Sequence, residues 1–472
     1  MSERQKRAPL FEALSAHLKE SRGNFHVPGH KQGQAFDPEG SDRFKDVLSI
    51  DLTEVGYLDD LHDPEGVIRE AQEFAAEAFS ADETRFLVGG STAGNLALVL
   101  SLCQPGDRLI IQRNSHQSIF NGCLLAGVRP VYISGDGECS RINPETLAEV
   151  LGRFPDAKGV FITSPDYYGM CQPVDALARM CGKRGIPLLV DEAHGAHFGF
   201  HPLLPPSAMQ QGADAAVQST HKMLPAMTMA SMLHLKGEGV PSESVFRWLR
   251  VIQSSSPSYP LMASLDLARR FLAERGKDEL DVLLNRLQRF REKLSTLSGI
   301  IEEGRGDKDQ DPLKLAIRSK RRISGFRLSN ELRRKGLFME LADHRCTLAA
   351  FSIGTSPEEM RRLMQGLKDL EKDMKWIPEE PWMEPIRVPR WSESRFPLNR
   401  LDRLRRQAVS LEEAVGRPAA EMVVPYPPGI PLVLPGESFT RKHAMDMDRM
   451  IRCGGRVRGL AAVSPPCVYV LQ

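Results

Sequence analysis

Short apolar runs and longer amphipathic stretches alternate between residues 67 and 217. The apolar runs predict strands at 85–88, 108–112, 130–133, 159–163, 187–190 and 215–217. The stretches between them have helical spacing and predict helices at 67–79, 96–103, 116–126, 144–154 and 174–184. Short apolar strands that alternate with helices of about ten residues are typical of a doubly wound α/β fold. We therefore expect a mostly parallel sheet with helices on both of its faces.

The regions on either side of this pattern are organised differently. Residues 1–60 contain a predicted helix at 10–19 and are otherwise rich in turns, as expected of an arm that packs on another surface. A charged helix at 266–294 leads to an α+β pattern. Its strands are predicted at 315–317, 337–341 and 346–352, and its helices at 324–335 and 357–374. We predict four parts, namely an arm (1–60), a large domain (61–295), a small α+β domain (296–375) and a C-terminal linker and segment (376–472).

Composition limits the class of function. Of the 472 residues, 41% are hydrophobic and 26% are charged, as in a soluble globular protein, and the net charge of +1 argues against nucleic-acid or membrane partners. We find neither the roughly 20 apolar residues of a membrane helix nor an apolar signal sequence. The 8 cysteines lack Cys-x-x-Cys pairs and zinc-like spacing, so we expect reduced thiols, no metal site and a cytoplasmic enzyme.

One lysine follows a predicted buried strand. The run at 215–217 ends in Gln218-Ser219-Thr220-His221-Lys222, and a Met-rich apolar segment comes next. Partial burial between these segments would lower the pKa of the lysine, which favours the neutral amine that forms a Schiff base. The neighbouring hydroxyls and imidazole suit a phosphate group. On this motif alone, Schiff-base chemistry and a structural lysine explain the pattern equally well.

A carboxylate ends the preceding strand. Asp191 follows the apolar run 187–190 and opens the loop Asp191-Glu192-Ala193-His194-Gly195-Ala196-His197. Ligands of parallel α/β sheets bind at the carboxyl ends of strands. Asp191 could keep the pyridine nitrogen of pyridoxal phosphate protonated, or it could simply cap a helix. Because Lys222 lies about thirty residues later at the end of the next strand, we favour the first explanation.

A third loop contains small and hydroxyl residues. Gly89-Gly90-Ser91-Thr92-Ala93-Gly94-Asn95 leads into the predicted helix 96–103. Small residues at a helix start leave N–H groups and the positive end of the helix dipole for an anion. The run is not a Walker loop, because no Gly-Lys-Ser/Thr follows. A structural turn fits the spacing as well, but together with Asp191 and Lys222 the loop predicts a phosphate site.

These motifs resemble those of the Orn/Lys/Arg decarboxylase family, whose members are fold-type-I enzymes that use pyridoxal phosphate to decarboxylate basic amino acids. The resemblance extends over nearly the whole chain in the same order. It rests on Phe25-His26-Val27-Pro28-Gly29-His30-Lys31, Asp59-Asp60-Leu61-His62-Asp63-Pro64-Glu65-Gly66, the loop at 191–197, Ser219-Thr220-His221-Lys222 and Tyr426-Pro427-Pro428-Gly429-Ile430-Pro431. It implies a fold-type-I sheet of the seven-stranded type and a smaller α+β C-terminal domain.

The resemblance also implies roles for individual residues. Lys222 would hold pyridoxal 5'-phosphate, and either Lys222 or a neighbouring histidine would return a proton to the substrate carbon. Asp191 would keep the pyridine nitrogen protonated, His116 would stack on the cofactor ring, and His194 would orient the ring or its phenolic oxygen. The predicted cofactor-binding residues are Ser91, Thr92, Ala93, His116, Asp191, His194, Ser219, His221 and Lys222.

Several positions remain open. Gln117, Asp166 and Met229 depart from the residues expected in relatives, which puts neighbouring contacts in doubt. His26, His30 and Lys31 could contact substrate or phosphate, or they could belong to turns. For Asp59, Asp60 and Asp63 we prefer a role at the start of a helix over contact with a cationic substrate. For Glu437 we expect a solvated carboxylate rather than a reader of substrate charge. The basic run at 395–406 is expected to be a solvated helix face.

The resemblance predicts decarboxylation of L-arginine, L-lysine or L-ornithine to CO2 and an amine of polyamine biosynthesis, namely agmatine, cadaverine or putrescine. It does not choose among the three. It further implies a homodimer or higher homo-oligomer, and the length of 472 residues fits a short, biosynthetic form without an extra N-terminal domain. An aminotransferase or lyase on the same fold, and a catalytically silent ligand-sensing relative, are the alternatives.

Overall fold

The computed structural model describes residues 3–135, 141–304, 306–307, 309–379, 389–394, 396–401, 404–426, 431–452, 456–461 and 465–472. Parts of the predicted linker, of the basic run and of the 426–431 motif lie outside these residues, so the predictions for them stay untested. The α-helices are α1 (Pro9–Glu20), α2 (Pro38–Ser49), α3 (Val67–Phe79), α4 (Gly90–Leu102), α5 (Gln117–Ala126), α6 (Pro144–Arg153), α7 (Val174–Gly182), α8 (Thr220–Met223), α9 (Ser242–Ile252), α10 (Tyr259–Leu294), α11 (Gly325–Arg334), α12 (Pro357–Asp373), α13 (Leu398–Leu401) and α14 (Arg441–Arg452).

The strands are β1 (Glu83–Leu87), β2 (Arg108–Gln112), β3 (Arg129–Ile133), β4 (Val160–Thr163), β5 (Leu188–Asp191), β6 (Ala215–Gln218), β7 (Ser231–Leu235), β8 (Ile300–Glu302), β9 (Lys314–Ser319), β10 (Leu341–Ala342), β11 (Cys346–Ala350), β12 (Trp391–Glu393), β13 (Arg406–Ser410), β14 (Val424–Tyr426), β15 (Arg456–Arg458), β16 (Leu460–Ala461) and β17 (Cys467–Leu471). Among the described residues, no helix combines the length and apolar character needed to cross a bilayer.

The chain divides into two compact units. Unit 1 comprises residues 1–102 and 187–279, and unit 2 comprises residues 103–186 and 280–472. Each unit is therefore built from two separate stretches of sequence. The four-part division that the sequence suggests stays a prediction.

Unit 1 contains four strands in the order β1-β7-β6-β5. β5 and β6 run parallel, whereas β7 pairs antiparallel with both β6 and β1. Helix α4 lies close to this sheet because Gly94 has no side chain: a Cβ there would lie 2.8 Å from Leu87 Cδ1 and 3.0 Å from Val217 Cγ1. Close helix–sheet packing at a glycine fixes the position of the α4 N-terminus.

Helix α1 contributes to the core of unit 1. Leu10 and Leu14 are fully buried in the same cluster as Phe86 and Tyr259. The Leu10 N–H donates to Asp266 Oδ2 at 3.0 Å, on helix α10. The first predicted helix is thus confirmed, and its apolar face is buried within unit 1 itself.

Unit 2 contains a parallel group and smaller antiparallel sheets. β2 pairs parallel with β3 and β4, and β12 adds antiparallel to β3. The order β10-β11-β9-β8 forms an antiparallel sheet beside α11 and α12. β13, β17 and β16 form a further sheet, and β14 pairs with β15. The sheet β10-β11-β9-β8, with α11 and α12, is the α+β pattern that the sequence predicted for the small domain.

Most predicted elements are confirmed, and α3 and β2 agree at both ends, but α4 begins six residues and α10 seven residues before the predicted start. The strand predicted at 337–341 is wrong except for Leu341, because Phe338 is 81% exposed and 337–340 form no strand. The sequence reading missed α2, α9 and β7. Helix α2 is largely polar, but Asp37 at its N-cap and Pro38 at its first position were usable signals.

Candidate active site

The predicted phosphate loop forms the start of helix α4. Gly90 has a φ of +71°, which glycine adopts without strain, and Ser91, Thr92 and Ala93 lie in the first turn. Ser91 Oγ lies 2.7 Å from Ser219 Oγ, at the end of β6, and 3.3 Å from Ser231 Oγ in β7. Because the first N–H groups of a helix have no partner within it, this end offers backbone and hydroxyl donors to an anion.

Asp191 is buried at the end of β5, with 2% of its surface exposed. Its Oδ2 accepts a hydrogen bond from Asn95 Nδ2 at 3.0 Å, and its Oδ1 accepts one from the Ala193 N–H at 3.1 Å. Asn95 lies in α4, one turn after Ser91. The carboxylate is therefore oriented by neutral donors, which leaves its negative charge available to a cationic ring nitrogen.

Lys222 follows β6 in the single-turn helix α8, and its Nζ lies 3.1 Å from His194 Nε2. The prediction that burial desolvates the ammonium is wrong for this chain, because Lys222 is exposed while the apolar residues Met223 and Leu224 are buried. Its reactivity therefore depends on a neighbouring base. His194 Nε2 can accept a proton from the ammonium when the imidazole proton is on Nδ1.

His221 lies beside Lys222 and is tied to the start of β7. Its backbone N–H donates to the Ala230 carbonyl at 3.3 Å, and its Nδ1 lies 3.0 Å from the same oxygen. Since a carbonyl only accepts, Nδ1 carries the proton, and Nε2 could donate to a phosphate only in the imidazolium form.

Unit 1 thus brings together eight of the predicted site residues, Ser91, Thr92, Ala93, Asp191, His194, Ser219, His221 and Lys222. Together they offer hydroxyl and helix N–H donors, a buried carboxylate and an exposed primary amine. These groups fit the phosphate, pyridine nitrogen and aldehyde of pyridoxal phosphate respectively.

His116 belongs to unit 2, where it precedes helix α5. It is exposed, and its Nδ1 accepts a hydrogen bond from the Ser118 N–H at 3.2 Å and lies 2.8 Å from Ser118 Oγ. An accepting Nδ1 places the ring proton of a neutral imidazole on Nε2. These contacts fix the ring as the N-cap of α5. Its predicted stacking on a cofactor stays a prediction.

Two family models match this chain. The Orn/Lys/Arg decarboxylase major domain matches residues 8–303, and the Orn/Lys/Arg decarboxylase C-terminal domain matches residues 397–452. The chain belongs to the Orn/Lys/Arg decarboxylase family. The resemblance recognised in the sequence motifs is thereby confirmed.

Individual members of the Orn/Lys/Arg decarboxylase family align over almost the full chain. Uncharacterized protein YaaO of Bacillus subtilis (strain 168) is 39% identical over 464 residues, which cover 96% of each protein. The arginine decarboxylase of Halalkalibacterium halodurans is 36% identical over 470 residues and covers 97% of this chain and 96% of its own. The crystal structure of the Francisella novicida lysine decarboxylase LdcF has a TM-score of 0.83 at 21% identity, over 98% of this chain and 81% of its own. The predicted fold class is confirmed.

The family motif in the N-terminal region forms local contacts. His30 Nδ1 accepts from the Gly33 N–H at 3.1 Å, and its Nε2 lies 3.2 Å from Asp51 Oδ2. The Lys31 ammonium donates to the His26 carbonyl. Because both His30 nitrogens bond within residues 30–51, the structure favours the turn interpretation for His30. Whether His26 and Lys31 contact a ligand stays a prediction.

Asp59 in the second family motif binds the start of helix α3. Its Oδ1 accepts from the Glu65 N–H at 2.9 Å, and its Oδ2 accepts from the N–H groups of Gly66 and Ile68 at 2.8 and 2.9 Å. A carboxylate at this position satisfies helix N–H groups that otherwise lack partners and complements the helix dipole. The helix-start interpretation is confirmed for Asp59.

The three departures from the family pattern occupy different local environments. Asp166 is buried, and its Oδ1 accepts from the N–H groups of Tyr168 and Met170, both at 2.9 Å. Gln117 is exposed at the first position of α5, and Met229 is exposed with a φ of +83°. Asp166 thus orders its own loop. The effect of Gln117 and Met229 on activity is a matter for measurement.

Glu437 has only 9% of its side chain exposed, so the expectation of a solvated carboxylate is wrong. Its two carboxylate oxygens accept from the Arg113 guanidinium, with 2.6 Å between Nη2 and Oε2. Ser392 Oγ and the Leu434 N–H also donate to it, both at 3.0 Å. Burial pushes the pKa of Glu437 upward, but Arg113 outweighs that effect and leaves the pKa below its usual value. The partner is 324 residues away in sequence, which is why local motifs missed the pair.

Sequence reasoning also missed Asn95, Glu192 and Gln218. Asn95 orients Asp191, as described above. Gln218 Nε2 donates to Glu192 Oε2 at 2.8 Å, and both side chains are almost fully buried. The usable signal for each was a polar residue inside or beside an apolar run, since a buried polar side chain needs a partner.

Proposed function

We propose that this chain is a pyridoxal-phosphate-dependent decarboxylase that converts a basic L-amino acid to CO2 and the corresponding amine. The observation that carries the proposal is the grouping of Lys222 and His194, at 3.1 Å, with the buried Asp191 and the start of α4 in one unit. The family assignment supports the reaction class. The grouped side chains support the cofactor.

Each residue has a defined role in this proposal. Lys222 holds the cofactor through its amine, and His194 takes the ammonium proton on Nε2. The α4 N-terminus, Ser91 and Ser219 hold the phosphate, with Thr92, Ala93 and His221 beside it. Asp191, aligned by Asn95, keeps the pyridine nitrogen protonated. The bound cofactor supplies an electron sink for the pair of electrons left when CO2 departs.

Proton return to the substrate carbon is assigned to this same group of residues. Lys222 Nζ, once released from the cofactor, can deliver a proton, and His194 Nε2 can reload it from 3.1 Å. His116 would cover the cofactor ring with its flat face. Its Nδ1 is already used by the Ser118 N–H, which holds the ring at the start of α5.

L-arginine is the substrate that we would test first. Relatives named arginine decarboxylase are 32–36% identical to this chain, whereas proteins named lysine decarboxylase are 21–26% identical. The product would then be agmatine, a precursor of polyamines. A homodimeric or larger assembly in the cytoplasm completes the proposal, and light scattering of the purified protein tests the assembly.

The visible absorption spectrum and the release of CO2 together test the proposal. Purified wild-type protein is mixed with pyridoxal phosphate, and CO2 is measured with L-arginine, L-lysine and L-ornithine. We expect an absorption band from the lysine-bound cofactor and CO2 from one substrate. Lys222→Ala should lose both, because Lys222 is the amine that this proposal assigns to the cofactor. Lys277→Ala, which removes an exposed lysine from α10 in unit 1, is the matched control and should keep both.

Other results would point elsewhere. A band without CO2 from any of the three amino acids would indicate an aminotransferase or lyase reaction on the same site. A wild-type protein with no band would contradict the cofactor assignment and favour the silent relative. A Lys222→Ala protein with an unchanged band would show that another amine holds the cofactor.

A further inference from the structure

Four buried polar side chains form one hydrogen-bonded chain in unit 1. Thr84 Oγ1 lies 2.8 Å from His234 Nδ1, His234 Nε2 lies 3.1 Å from Gln218 Oε1, and Gln218 Nε2 donates to Glu192 Oε2 at 2.8 Å. The Ala208 N–H donates to Glu192 Oε1 at 2.7 Å and ends the chain. All four residues are at most 2% exposed. We call this group the Thr84–Glu192 chain.

The direction of these hydrogen bonds is consistent throughout. Since Gln218 Nε2 donates to Glu192, Gln218 Oε1 must accept from His234 Nε2–H. His234 Nδ1 then accepts from the Thr84 hydroxyl. A buried network in which every member is paired is rigid, and breaking it leaves a buried group without a partner. Burial also lowers the pKa of His234 to about 3, so the ring stays neutral as this direction requires.

The chain lies on the sheet face opposite α4. Val217 packs against the α4 side, where a Cβ on Gly94 would contact it, and the next residue, Gln218, points the other way. On the chain's own face, the Phe79 ring of α3 stacks on His234 with 4.9 Å between ring centroids. The predicted cofactor site and the Thr84–Glu192 chain thus lie on opposite sides of the same strands.

Members of the chain adjoin the site residues in sequence. Glu192 directly follows Asp191, and Gln218 directly precedes Ser219. The last paired positions of β5 and β6 are Asp191 and Val217, and the Glu192 N–H donates to the Val217 carbonyl at 2.9 Å. The Glu192–Gln218 side-chain bond is therefore a cross-strand tie at the point where the sheet gives way to the loops that carry the site.

We propose that the Thr84–Glu192 chain is a positioning device that fixes the end of β5 against the end of β6 and so holds Asp191 and Lys222 at the spacing the cofactor needs. None of its members belongs to the predicted cofactor-binding residues. The inference rests on the proposed function, because it assigns the chain to the same cofactor site. The effect of the Thr84–Glu192 chain on cofactor binding should be separable from its effect on folding stability.

Replacement of Gln218 by methionine tests the inference. Gln218→Met keeps the length of the side chain but leaves Glu192 Oε2 and His234 Nε2 without partners. We expect pyridoxal phosphate, titrated into the cofactor-free protein, to bind about tenfold more weakly. We also expect a shifted visible band and a lower kcat at similar KM.

Gln72→Met is the matched control. Gln72 is another buried glutamine of unit 1, at 2% exposure, but its Oε1 accepts from the Phe86 N–H at 2.9 Å and has no part in the chain. We expect a similar fall in melting temperature with cofactor affinity within about twofold of wild type. Thr84→Val serves as a milder second variant, in case Gln218→Met does not fold, and should weaken binding several-fold.

The outcomes separate the two proposals. If wild type binds the cofactor and Gln218→Met or, where that fails to fold, Thr84→Val binds it equally well, the positioning role is wrong and the proposed function stands. Equal losses of cofactor affinity in Gln218→Met and Gln72→Met would also mean that the Thr84–Glu192 chain only stabilises the fold. A wild-type protein that does not bind pyridoxal phosphate would overturn both proposals.

Discussion

Two buried glutamates differ in what surrounds them. Glu437 in unit 2 pairs with the Arg113 guanidinium, whereas Glu192 in unit 1 is held by the neutral donors of Gln218 and Ala208. Arg113 keeps the pKa of Glu437 low despite burial. Burial raises the pKa of Glu192 to about 8, because neutral hydrogen bonds offset only part of the desolvation. Of these two carboxylates, the one with a cationic partner has a lowered pKa and the one with only neutral donors has a raised pKa.

The two glutamates also adjoin different parts of the predicted site. Glu437 holds Arg113, three residues before His116, and Glu192 follows Asp191. A stabilising ion pair therefore adjoins the loop of His116, and a neutral hydrogen-bonded chain adjoins the loop of Asp191. The difference shows that a glutamate removed from water can either pair with a cation or join a chain of neutral hydrogen-bonding groups.

The largest expected effect comes from breaking the ion pair. Glu437→Ala leaves Arg113 buried without a counter-charge, so we expect a loss of about 3–5 kcal/mol in the free energy of unfolding, measured by denaturant titration. Glu421→Ala is the matched control, since Glu421 pairs with Arg406 on the surface, and should cost about 1 kcal/mol or less. If both variants lose the same stability, the Arg113–Glu437 pair contributes no more than a surface pair.

The second effect is a fall in stability with rising pH that Glu192, but not Glu437, should cause. A raised folded-state pKa means that the folded protein holds a proton which the unfolded chain has lost, so stability falls as pH rises between about 4.5 and about 8. His234, whose pKa is lowered from 6.5 to about 3, contributes the opposite slope but only below pH 6.5. Between pH 6.5 and 8 we therefore expect wild-type stability to fall by up to about 1.4 kcal/mol per pH unit.

Glu192→Gln isolates that slope. The amide cannot titrate, but it can still accept a hydrogen bond from the Ala208 N–H. It can also donate to Gln218 once the Gln218 amide has rotated, so the hydrogen bonds of the Thr84–Glu192 chain can re-form in the reversed direction. Denaturation midpoints of wild type and Glu192→Gln at pH 6.5, 7.0, 7.5 and 8.0 give the difference. Parallel curves for the two proteins would mean that Glu192 does not titrate in this range.

The smallest effect should come from one neutral donor to Glu437. Ser392→Ala removes the hydrogen bond from Ser392 Oγ at 3.0 Å but leaves Arg113 and the Leu434 N–H in place. We expect a loss of about 1 kcal/mol, measured by the same denaturant titration. A loss as large as that of Glu437→Ala would show that the serine, rather than the guanidinium, decides the state of Glu437.

Motif-level prediction was accurate where local sequence carries the chemistry. The small-residue start of α4, the carboxylate ending β5 and the lysine after β6 lie at strand and helix ends, as the apolar runs indicated. Parallel strands bring such ends to one edge, and so the grouping of Ser91, Asp191 and Lys222 could be expected. Asp59 at the start of α3 was also readable, because a carboxylate before a helix has a known role.

Predictions failed where the answer depended on a distant partner. Lys222 appeared in the sequence between polar and apolar neighbours, but in the structure it is exposed, with His194 Nε2 3.1 Å from its Nζ. Glu437 was predicted to be a surface residue, but in the structure it accepts hydrogen bonds from Arg113 and Ser392. The strand predicted at 337–341 failed because residues 337–340 form no strand, and only Leu341 of that range pairs with β11.

The sequence by itself determined the family, the α/β class and the identity of the residues that offer an amine, a carboxylate and an anion-binding helix start. The α/β class and the candidate residues follow from residue type and periodicity, which are local, and the family follows from the resemblance of the motifs. Only the tertiary structure decided which buried groups are charged and which are neutral. That depends on partners 26 residues away, as for Gln218 and Glu192, or 324 residues away, as for Arg113 and Glu437, and on the cost of removing each charge from water.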